Sequence, residues 1–352
     1  MIRCPSCGKR LRDGAPSCAL HGAPPPAPPP AGDAPTPFVV PTPELPAFRA
    51  EKLLGQGGFG AVFRAVRVED NHPCAIKVAR ADNASAGESL VREADALKEV
   101  GVPYVPAVYD SGKLPDGSVY VVMDFVKAPI LADVMNELDG PMSIDDFAKT
   151  AIPMLEVMEV VQGKGLVHCD LKPENVFVHE SFGAKLFDFG LVKKANAKPA
   201  DETKEEAAAG TPEYMSPEQC EGRPDIDLRS DIYALGAIFY EMLAGGPPFW
   251  GKPAEVQQNH RSRRPPALGR RVPMSVPLED AIMRCLAKDP DRRPANATEL
   301  RKAIQAGIVA ERARLQEVAS GAAGAAAPAA TPAVEAAKPA APSAKAAAPA
   351  RE

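Results

Sequence analysis

The segment 166–188 limits the possible fold and chemistry of this chain more than any other, because it places three polar side chains between short apolar runs. Asp170, Lys172 and Asn175 lie within six residues, and the apolar residues around them are typical of short buried strands. A second acid, Asp188, follows thirteen residues after Asn175, which leaves room for a hairpin between them. Phosphoryl transfer needs such a set: an acid that orients a hydroxyl, a cation for the phosphate and an Asn/Asp pair for Mg²⁺.

A second pattern, Gly-x-Gly-x-x-Gly, is formed by Gly55, Gly57 and Gly60. Glycines let the backbone approach phosphates closely and offer amide donors to them. Taken alone, the pattern is more often only a flexible turn. Here both flanks predict strands and Val62 follows the last glycine, whereas a dinucleotide-binding fold would open a helix at the motif. The sequence therefore favours a phosphate-binding hairpin.

Lys77 interrupts a short apolar strand, where an unpaired ammonium group would cost free energy. The next segment, from about 87 to 100, has helical periodicity, and Glu93 falls on its apolar stripe. A carboxylate on an apolar face needs a cation. We therefore expect Lys77 and Glu93 to form an ion pair; the alternative is two unrelated surface charges.

These features, in this order, resemble the protein kinase family. The segment 166–188 is similar to the catalytic loop and Asp-Phe-Gly motif, and Lys77 with Glu93 to the Lys–Glu ion pair. The run 210–218 is close to the family's Gly-Thr-Pro-x-Tyr-Met-Ser/Ala-Pro-Glu. Lys-Pro-Glu after Asp170 resembles Ser/Thr-specific rather than tyrosine-specific members.

The resemblance covers about 260 residues and implies an α+β, bilobal protein-kinase fold. The first lobe would be rich in β-strands and the second helical, with ATP and Mg²⁺ (or Mn²⁺) bound between them. Among the helices, we expect one over 144–163 that is interrupted by Pro153 and an almost wholly buried one over 230–243. Residues 301–318 are expected to finish the last helix.

The resemblance also assigns roles to single residues. Asp170 would orient the acceptor hydroxyl and Lys172 would neutralise the transferring phosphoryl group, while Thr211 would hydrogen-bond to both and favour Ser/Thr acceptors. Asn175 and Asp188 would hold Mg²⁺. The adenine would contact Met123 as the residue behind it, hinge residues 124–126 and apolar side chains. The residues implied for nucleotide binding are Gly55, Gly57, Gly60, Val62, Ala75, Lys77, Glu93, Met123, Asp124, Val126, Phe177 and Asp188.

Three further residues are expected to have structural roles. Glu218 would form a buried ion pair with Arg293 by the same resemblance. Asp231 would accept hydrogen bonds from the catalytic-loop backbone, and the alternative for it is an ordinary helix N-cap. We interpret His168 as a packed residue rather than a general base.

Cys169 departs from the family pattern, because most members have arginine before the catalytic aspartate. That arginine usually pairs with a phosphorylated residue of the activation loop, and a thiol cannot. Residues 191–210 contain a single hydroxyl, that of Thr203. We therefore predict that activity does not require phosphorylation of Thr203. A redox role for Cys169 is the alternative to a simple neutral replacement.

Near the amino terminus, Cys4, Cys7, Cys18 and His21 form two closely spaced pairs separated by a short loop. Four such ligands suit a tetrahedral Zn²⁺ ion. The segment resembles a small zinc ribbon or knuckle, and its site would be structural because every position is filled. The alternatives are a disordered leader with chance cysteines and a pair of disulfides.

The segments before the first lobe and after the last helix are rich in proline and alanine. The 39 prolines are too many for an ordinary domain, and they cluster outside the middle of the chain. They predict an extended spacer before the first lobe and a disordered tail after the last helix. We divide the chain into a zinc-ribbon-like knuckle (1–22), a Pro/Ala-rich linker (23–47), the first lobe (48–128), the second lobe (129–306), and a helical extension with an Ala/Pro-rich tail (307–352).

Charge and cysteine usage limit the classes of partner and the cellular compartment that are expected. The net charge of −5 gives no sign of a nucleic-acid or membrane partner, and no long uncharged apolar run predicts a membrane span. Seven cysteines without a signal segment favour a reducing compartment, so we expect the cytoplasm. The knuckle and the Ala/Pro-rich arms resemble those of bacterial eukaryotic-like kinases, and they offer surfaces for a protein partner.

The expected function is that of an ATP-dependent serine/threonine kinase that acts on proteins, itself included. One alternative is a pseudokinase, a scaffold that binds nucleotide or partners without catalysis. Its usual marks are loss of the lysine, the catalytic aspartate or the metal aspartate, and none is missing here. Another alternative makes the knuckle the functional part, as an adaptor that the kinase serves.

Overall fold

The structure is a computed structural model that describes residues 2–4, 6, 8–11, 18, 40–138, 140–195 and 211–320. Residues 1–314 form one compact unit and residues 315–352 a second. The described strands are β1 Ile2–Arg3, β2 Arg10–Leu11, β3 Phe48–Gly57, β4 Gly60–Arg67, β5 Pro73–Ala79, β6 Val108–Lys113, β7 Val119–Asp124, β8 Leu166–Val167, β9 Val176–His179, β10 Gly183–Leu186 and β11 Lys193–Lys194. The described helices are α1 Ala84–Val100, α2 Leu131–Glu137, α3 Ile144–Gly163, α4 Pro217–Cys220, α5 Leu228–Ala244, α6 Pro253–Ser262, α7 Val276–Cys285 and α8 Ala297–Ala319.

A five-stranded antiparallel sheet with the order β3-β4-β5-β7-β6 forms the first lobe. Alternating side chains face opposite sides of such a sheet. Phe63, Ile76 and Val122 are buried together on one side, and Val121 is buried with α1 in a different core. The sheet is therefore covered by α1 on one face, as expected for a β-rich first lobe.

Helix α1 begins three residues earlier than its apolar periodicity predicted. The Asn83 side chain caps it by accepting a hydrogen bond from the backbone N–H of Ala86 at 3.0 Å. The small residues of the first turn carry no apolar stripe, so the pattern did not reveal this start. The helix ends at Gly101, whose φ of +76° favours glycine and whose N–H donates to the Leu97 carbonyl.

Helix α5 lies at the centre of the helical second lobe and is buried from residue 230 to residue 243. Asp227 caps its start and Gly245, with φ of +74°, ends it in the left-handed conformation. A helix that is apolar nearly all round requires neighbours on every side, and α3, α7 and β8 pack against it.

The prediction that Pro153 interrupts its helix was wrong, because α3 runs continuously through it. A proline inside a helix costs about 3 kcal/mol. Four large side chains of α3 are fully buried, each worth about 1.5–3 kcal/mol, so their packing outweighs that cost. These residues are Phe147, Met154, Leu155 and Met158.

The last helix, α8, runs from Ala297 to Ala319 and so contains residues 301–318, which were expected at its end. In the part of the chain that the structure describes, no helix combines the length and apolarity needed to cross a membrane. The linker from residue 23 to 39, most of the segment 191–210 and the tail from residue 321 lie outside the described residues.

Candidate active site

A cavity of about 550 Å³ lies beneath the turn between β3 and β4. The sheet, α1 and the catalytic loop, residues 168–175, all contribute to its walls. Ten of the residues singled out from the sequence line it: Gly55, Gly57, Gly60, Val62, Lys77, Glu93, Asp170, Lys172, Asp188 and Thr211.

Of the three glycines that form the motif, Gly60 is the one that cannot be replaced by a residue with a side chain. A Cβ atom at this position would lie 2.0 Å from the carbonyl oxygen of Val78, and φ is +153°. Added Cβ atoms at Gly55 and Gly57 would meet nothing within 4 Å, so these two glycines leave space above the cavity. The turn therefore presents bare backbone to a ligand beneath it.

Lys77 joins two carboxylates inside the cavity. Its Nζ lies 2.6 Å from Glu93 Oε2 and 3.0 Å from Asp188 Oδ1, and Glu93 is only 2% exposed. Burial alone would lower the pKa of Lys77, but the two carboxylates outweigh it and raise that pKa above its ordinary value. The lysine is therefore a fixed cation at the centre of the site.

Asp188 is held in a specific conformation. Its φ of +62° is uncommon for a residue with a side chain. Burial would raise the pKa of the Asp188 carboxyl, but the Lys77 ammonium outweighs it and holds that pKa below the ordinary value. Two contacts bind α1 to the chain that follows Asp188: Ser89 Oγ donates to the Gly190 carbonyl at 2.8 Å, and Lys194 pairs with Glu99 at 2.6 Å.

In the catalytic loop, Asp170 is the acceptor for both neighbouring polar side chains. Its Oδ2 accepts from Lys172 Nζ at 2.6 Å and from Asn175 Nδ2 at 3.3 Å. Burial raises the pKa of the Asp170 carboxyl, an effect that Lys172 reduces without reversing. Within the described residues nothing bonds to Asp170 Oδ1, so this oxygen is available to a ligand.

The hydrogen bond predicted from Thr211 to Asp170 and Lys172 is absent, although all three residues are described and line the cavity. The side chains that donate to Asp170 among the described residues are those of Lys172 and Asn175. The structure therefore brings Thr211 to the site without fixing its hydroxyl.

Asp231 supports the catalytic loop from below. Its two oxygens accept from the backbone N–H groups of His168 at 2.8 Å and Cys169 at 3.0 Å. It is 1% exposed, and burial raises its pKa to about 7. Because Asp227 caps the helix, the N-cap interpretation of Asp231 was wrong and the loop-bonding one describes its contacts.

Two other residues of this loop are packed rather than solvated. Burial lowers the pKa of His168 to about 4, so the ring is neutral at pH 7, and it contacts the Phe189 ring. Cys169 has φ of +66° and lies in an apolar cluster with Val167 and Ile226.

Sequence reasoning missed Gln219, whose Nε2 donates to the Cys169 carbonyl at 2.6 Å. Together with Asp231, it fixes the backbone just before Asp170. The signal was present in the sequence, because Ser216 and Gln219 have the Ser-x-x-Gln spacing of a capping box. The structure contains that capping box at the start of α4.

Of the residues implied for adenine binding, Val62 lines the cavity, whereas Ala75, Met123, Asp124, Val126 and Phe177 do not. Met123 is buried and pairs with Ala75 across β5 and β7, and Phe177 stacks on Phe187 with ring centroids 4.2 Å apart. The Asp124 carboxylate is used inside the sheet, where it accepts from the Ala107 N–H and the Tyr109 hydroxyl. The cavity therefore extends along the glycine turn, Lys77 and the 168–175 loop, and not toward residues 123–126.

Val126, the last residue of the expected hinge, follows β7 outside any strand or helix. Among the described residues, its backbone N–H and C=O take part in no backbone hydrogen bond. Backbone groups of this kind need a partner from water or a ligand.

The ligands expected for zinc are described only in part. Cys4 and Cys18 are both buried and belong to one cluster with Leu11, whereas Cys7 and His21 lie outside the described residues. The described residues alone contain no group of three or more His, Cys, Asp or Glu that could hold a metal ion.

The sequence matches the family model "Protein kinase domain" over residues 48–304. It is 34% identical to serine/threonine-protein kinase pkn3 of Myxococcus xanthus over 282 residues, which cover 76% of this chain and 51% of that protein. It is 34% identical to serine/threonine-protein kinase PknB of Mycobacterium leprae over 257 residues, covering 71% and 41%. With pkn2 of Myxococcus xanthus the identity is 38% over 274 residues, covering 74% and 32%. The chain thus matches about half of these relatives' length or less.

Proposed function

The chain belongs to the protein kinase family, and we propose that it transfers the γ-phosphoryl group of ATP to serine or threonine hydroxyls of proteins, its own included. The observation that carries this proposal is a single cavity that holds both ionic clusters. Lys77 with Glu93 and Asp188 forms one, and Asp170 with Lys172 forms the other. This arrangement suits positioning and charge neutralisation, which dominate phosphoryl transfer.

In this proposal the phosphates of ATP lie beneath the turn at Gly55, Gly57 and Gly60, with the Lys77 ammonium beside them. The adenine lies against Val62, Ala75, Met123 and Phe177, and the backbone of residues 124–126 pairs with its edge. The unpaired backbone groups of Val126 support this placement.

Asp170 orients the acceptor hydroxyl through its Oδ1 atom. The acceptor oxygen attacks the γ-phosphorus, the bond from that phosphorus to the β–γ bridging oxygen breaks, and the electron pair leaves with ADP. The hydroxyl proton passes to Asp170, whose burial favours the protonated form. Lys172 lies 2.6 Å from this carboxylate and neutralises charge on the phosphoryl group in transit.

Asn175 and Asp188 fit the role of magnesium ligands. Asn175 uses its Nδ2 to donate to Asp170, so its Oδ1 is left for a cation, and Asp188 supplies a carboxylate. Oxygen donors of these two kinds are what Mg²⁺ prefers. When bound, the ion neutralises charge on the phosphates.

The test is phosphate incorporation from labelled ATP with Mg²⁺, into the protein itself and into a generic basic protein. Wild type and an Asp280→Asn control, which changes an exposed aspartate of α7, should become labelled. Asp170→Asn and Asp188→Ala should not, and the label should map to serine or threonine. Unlabelled wild type whose melting temperature still rises with ATP would instead indicate a pseudokinase.

We also propose that Cys4, Cys7, Cys18 and His21 hold a structural Zn²⁺ ion. Cys4 and Cys18 are fourteen residues apart in sequence yet buried in one cluster, and β1 pairs with β2 on either side of the loop that contains Cys4. Gly8, with φ of +73°, donates its N–H to the Cys4 carbonyl and so closes the turn after the first pair. The cytoplasmic location, which follows from cysteine usage alone, stays a prediction.

A further inference from the structure

A second cavity of about 550 Å³ lies in the second lobe and shares no residue with the active-site cavity. It is lined by the end of α6, the end of α7 and the chain that follows each helix. Its walls include the apolar side chains of Pro265, Met283 and Leu286. A cavity of this size with apolar walls and a few charged groups is typical of small-molecule sites. Four basic residues also line it: Arg264, Arg284, Lys288 and Arg292.

Two of these arginines have no partner among the described residues. Arg264 and Arg292 are exposed, and their side chains form no hydrogen bond or ion pair there. Arg284 pairs with Glu299 at 2.8 Å. Asp289 supplies the carboxylate of the lining, and its side chain already accepts from the backbone of the short turn that follows it. The lining thus carries four basic side chains and one acidic side chain, in a chain whose net charge is −5.

The chain around Arg264 adds further positive charge. Residues 261–271 contain five arginines, and none of these pairs with a carboxylate in the part of the chain that the structure describes. The Arg271 guanidinium instead lies 4.9 Å from the centroid of the Trp250 ring. Cations of one sign around a concave site with apolar walls raise the local concentration of anions, because the walls focus their field.

Lys288 is also a cation without a carboxylate partner among the described residues. Its Nζ donates to the Tyr233 hydroxyl at 3.2 Å and to the Asn259 carbonyl at 3.4 Å. The same atom lies 4.9 Å from the centroid of the Phe249 ring. Burial and the charge of Arg293 lower the pKa of Lys288 to about 8. An anion in the cavity would favour the charged form of this lysine.

The chemistry of these groups selects the class of ligand. Guanidinium groups bind phosphate oxygens two at a time, and several cations around one cavity favour a group with more than one negative charge. A phosphate monoester carries a charge of about −1.5 to −2 at pH 7. The apolar walls add binding energy only for a ligand with an apolar body. A membrane surface or a nucleic acid would use the exposed arginines and leave these walls uncovered.

We propose that this cavity binds a small molecule that carries a phosphate group on an apolar body. The phosphate contacts Arg264 and Arg292, and the body packs against Met283 and Leu286. The bound ligand also stabilises the chain that leads to Arg293, which donates to two backbone carbonyls of the lining at 2.9 and 3.2 Å. This inference does not rest on the proposed function, since no residue of this cavity belongs to the active site.

The experiment measures Kd by isothermal titration calorimetry on the full-length protein, without ATP or Mg²⁺. The probes are 1-naphthyl phosphate and 1-naphthol, which has the same rings without the phosphate. Wild type is compared with Arg264→Ala/Arg292→Ala. Arg49→Ala/Lys52→Ala is the matched control, because it removes two exposed cations of the first lobe. Lys77→Met tests whether the active-site cavity binds the probe instead.

The Kd for 1-naphthyl phosphate should rise by about tenfold in the double variant, since each exposed charge pair contributes about threefold and two are lost. The control and Lys77→Met should keep Kd within about twofold of wild type. The probe should raise the Tm of wild type more than that of the double variant. Should the double variant not fold, Arg292→Met alone decides, with an expected rise in Kd of about threefold.

No binding to wild type, equal binding of 1-naphthol, or an unchanged Kd in the double variant would overturn the proposal. Loss of binding in Lys77→Met alone would place the probe in the active site and would refute the proposal equally. Binding of duplex DNA or phosphatidylglycerol vesicles through the two arginines, without binding of 1-naphthyl phosphate, would assign them to a macromolecular interface instead. None of these measurements involves phosphoryl transfer, so a failure of the kinase function would leave every outcome readable.

Discussion

Replacing Arg293 by methionine should destabilise the second lobe strongly, because the Glu218 carboxylate would be left buried without its cation. The two Arg293 terminal nitrogens lie 2.7 and 2.8 Å from the two Glu218 oxygens. The arginine and glutamate side chains are 0% and 4% exposed, so water cannot replace the lost partner. Arg293 also donates to three backbone carbonyls, those of Arg229, Ala287 and Lys288.

Removing one partner of a buried ion pair costs about 3–5 kcal/mol of unfolding free energy. The three carbonyls that lose their donor place this substitution near the upper end of that range. For a domain of this size each kcal/mol lowers Tm by about 2–4 °C, so Tm should fall by about 6–20 °C. The segment from Thr211 to Glu218 should loosen with it, because Glu218 anchors the end of that segment.

The pH dependence of this loss has a definite sign. Burial would raise the pKa of Glu218, but the hydrogen bonds from Arg293 outweigh it and hold that pKa below the ordinary value. A lowered pKa contributes stability above the unfolded value of about 4.3 and loses it as the pH falls through the folded value. The difference in stability between wild type and Arg293→Met should therefore be largest near neutral pH and shrink below about pH 4.

Chemical denaturation at pH 7 and pH 4 measures the loss of unfolding free energy in Arg293→Met and its dependence on pH. Arg292→Met is the matched control, since its side chain is exposed on the adjacent position and makes no side-chain bond among the described residues. It should change the unfolding free energy by less than about 0.5 kcal/mol. If Arg293→Met cost no more than Arg292→Met, the ion pair would not anchor this lobe and the reasoning would be refuted.

Three shorter predictions concern the site and the knuckle. Thr203→Ala should keep phosphate incorporation within about twofold of wild type, because the Cys169 thiol stands where most of the family has the arginine that pairs with a phosphorylated loop, and a thiol cannot form that pair. A folded but inactive variant would contradict this. Asp231→Asn should lower kcat by about 10–100-fold with little change in the KM for ATP, because a hydrogen bond to a charged group is worth about 1.5–3 kcal/mol; an unchanged kcat would show that Asp231 does not position the loop. Cys4→Ser should reduce the zinc content measured by metal analysis of the purified protein, and wild type without zinc would exclude the knuckle.

Local patterns predicted the parts of the site that neighbouring residues determine. The β-rich first lobe and helical second lobe were expected from the resemblance to the protein kinase family, and the structure contains both. Contacts that depend on packing between distant segments were harder to predict from the sequence. Pro153 was expected to interrupt α3, because sequence shows the cost of proline but not the burial that offsets it. Thr211 was expected to hydrogen-bond to Asp170 and Lys172, but among the described residues the side chains that donate to Asp170 are those of Lys172 and Asn175.

Glu93 and Glu241 show where sequence reasoning stops. Both are carboxylates inside apolar helical faces, and both are almost fully buried. For Glu93 the motif order singled out Lys77, and the two side chains meet at 2.6 Å. By the same reasoning Glu241 also needs a cation, but the sequence does not show which of the 41 basic residues supplies it. Its partners come from more than 200 positions away, in a segment that no motif links to α5. A buried carboxylate can therefore be recognised from periodicity, whereas its cation is identified only when the fold decides which basic side chain reaches it.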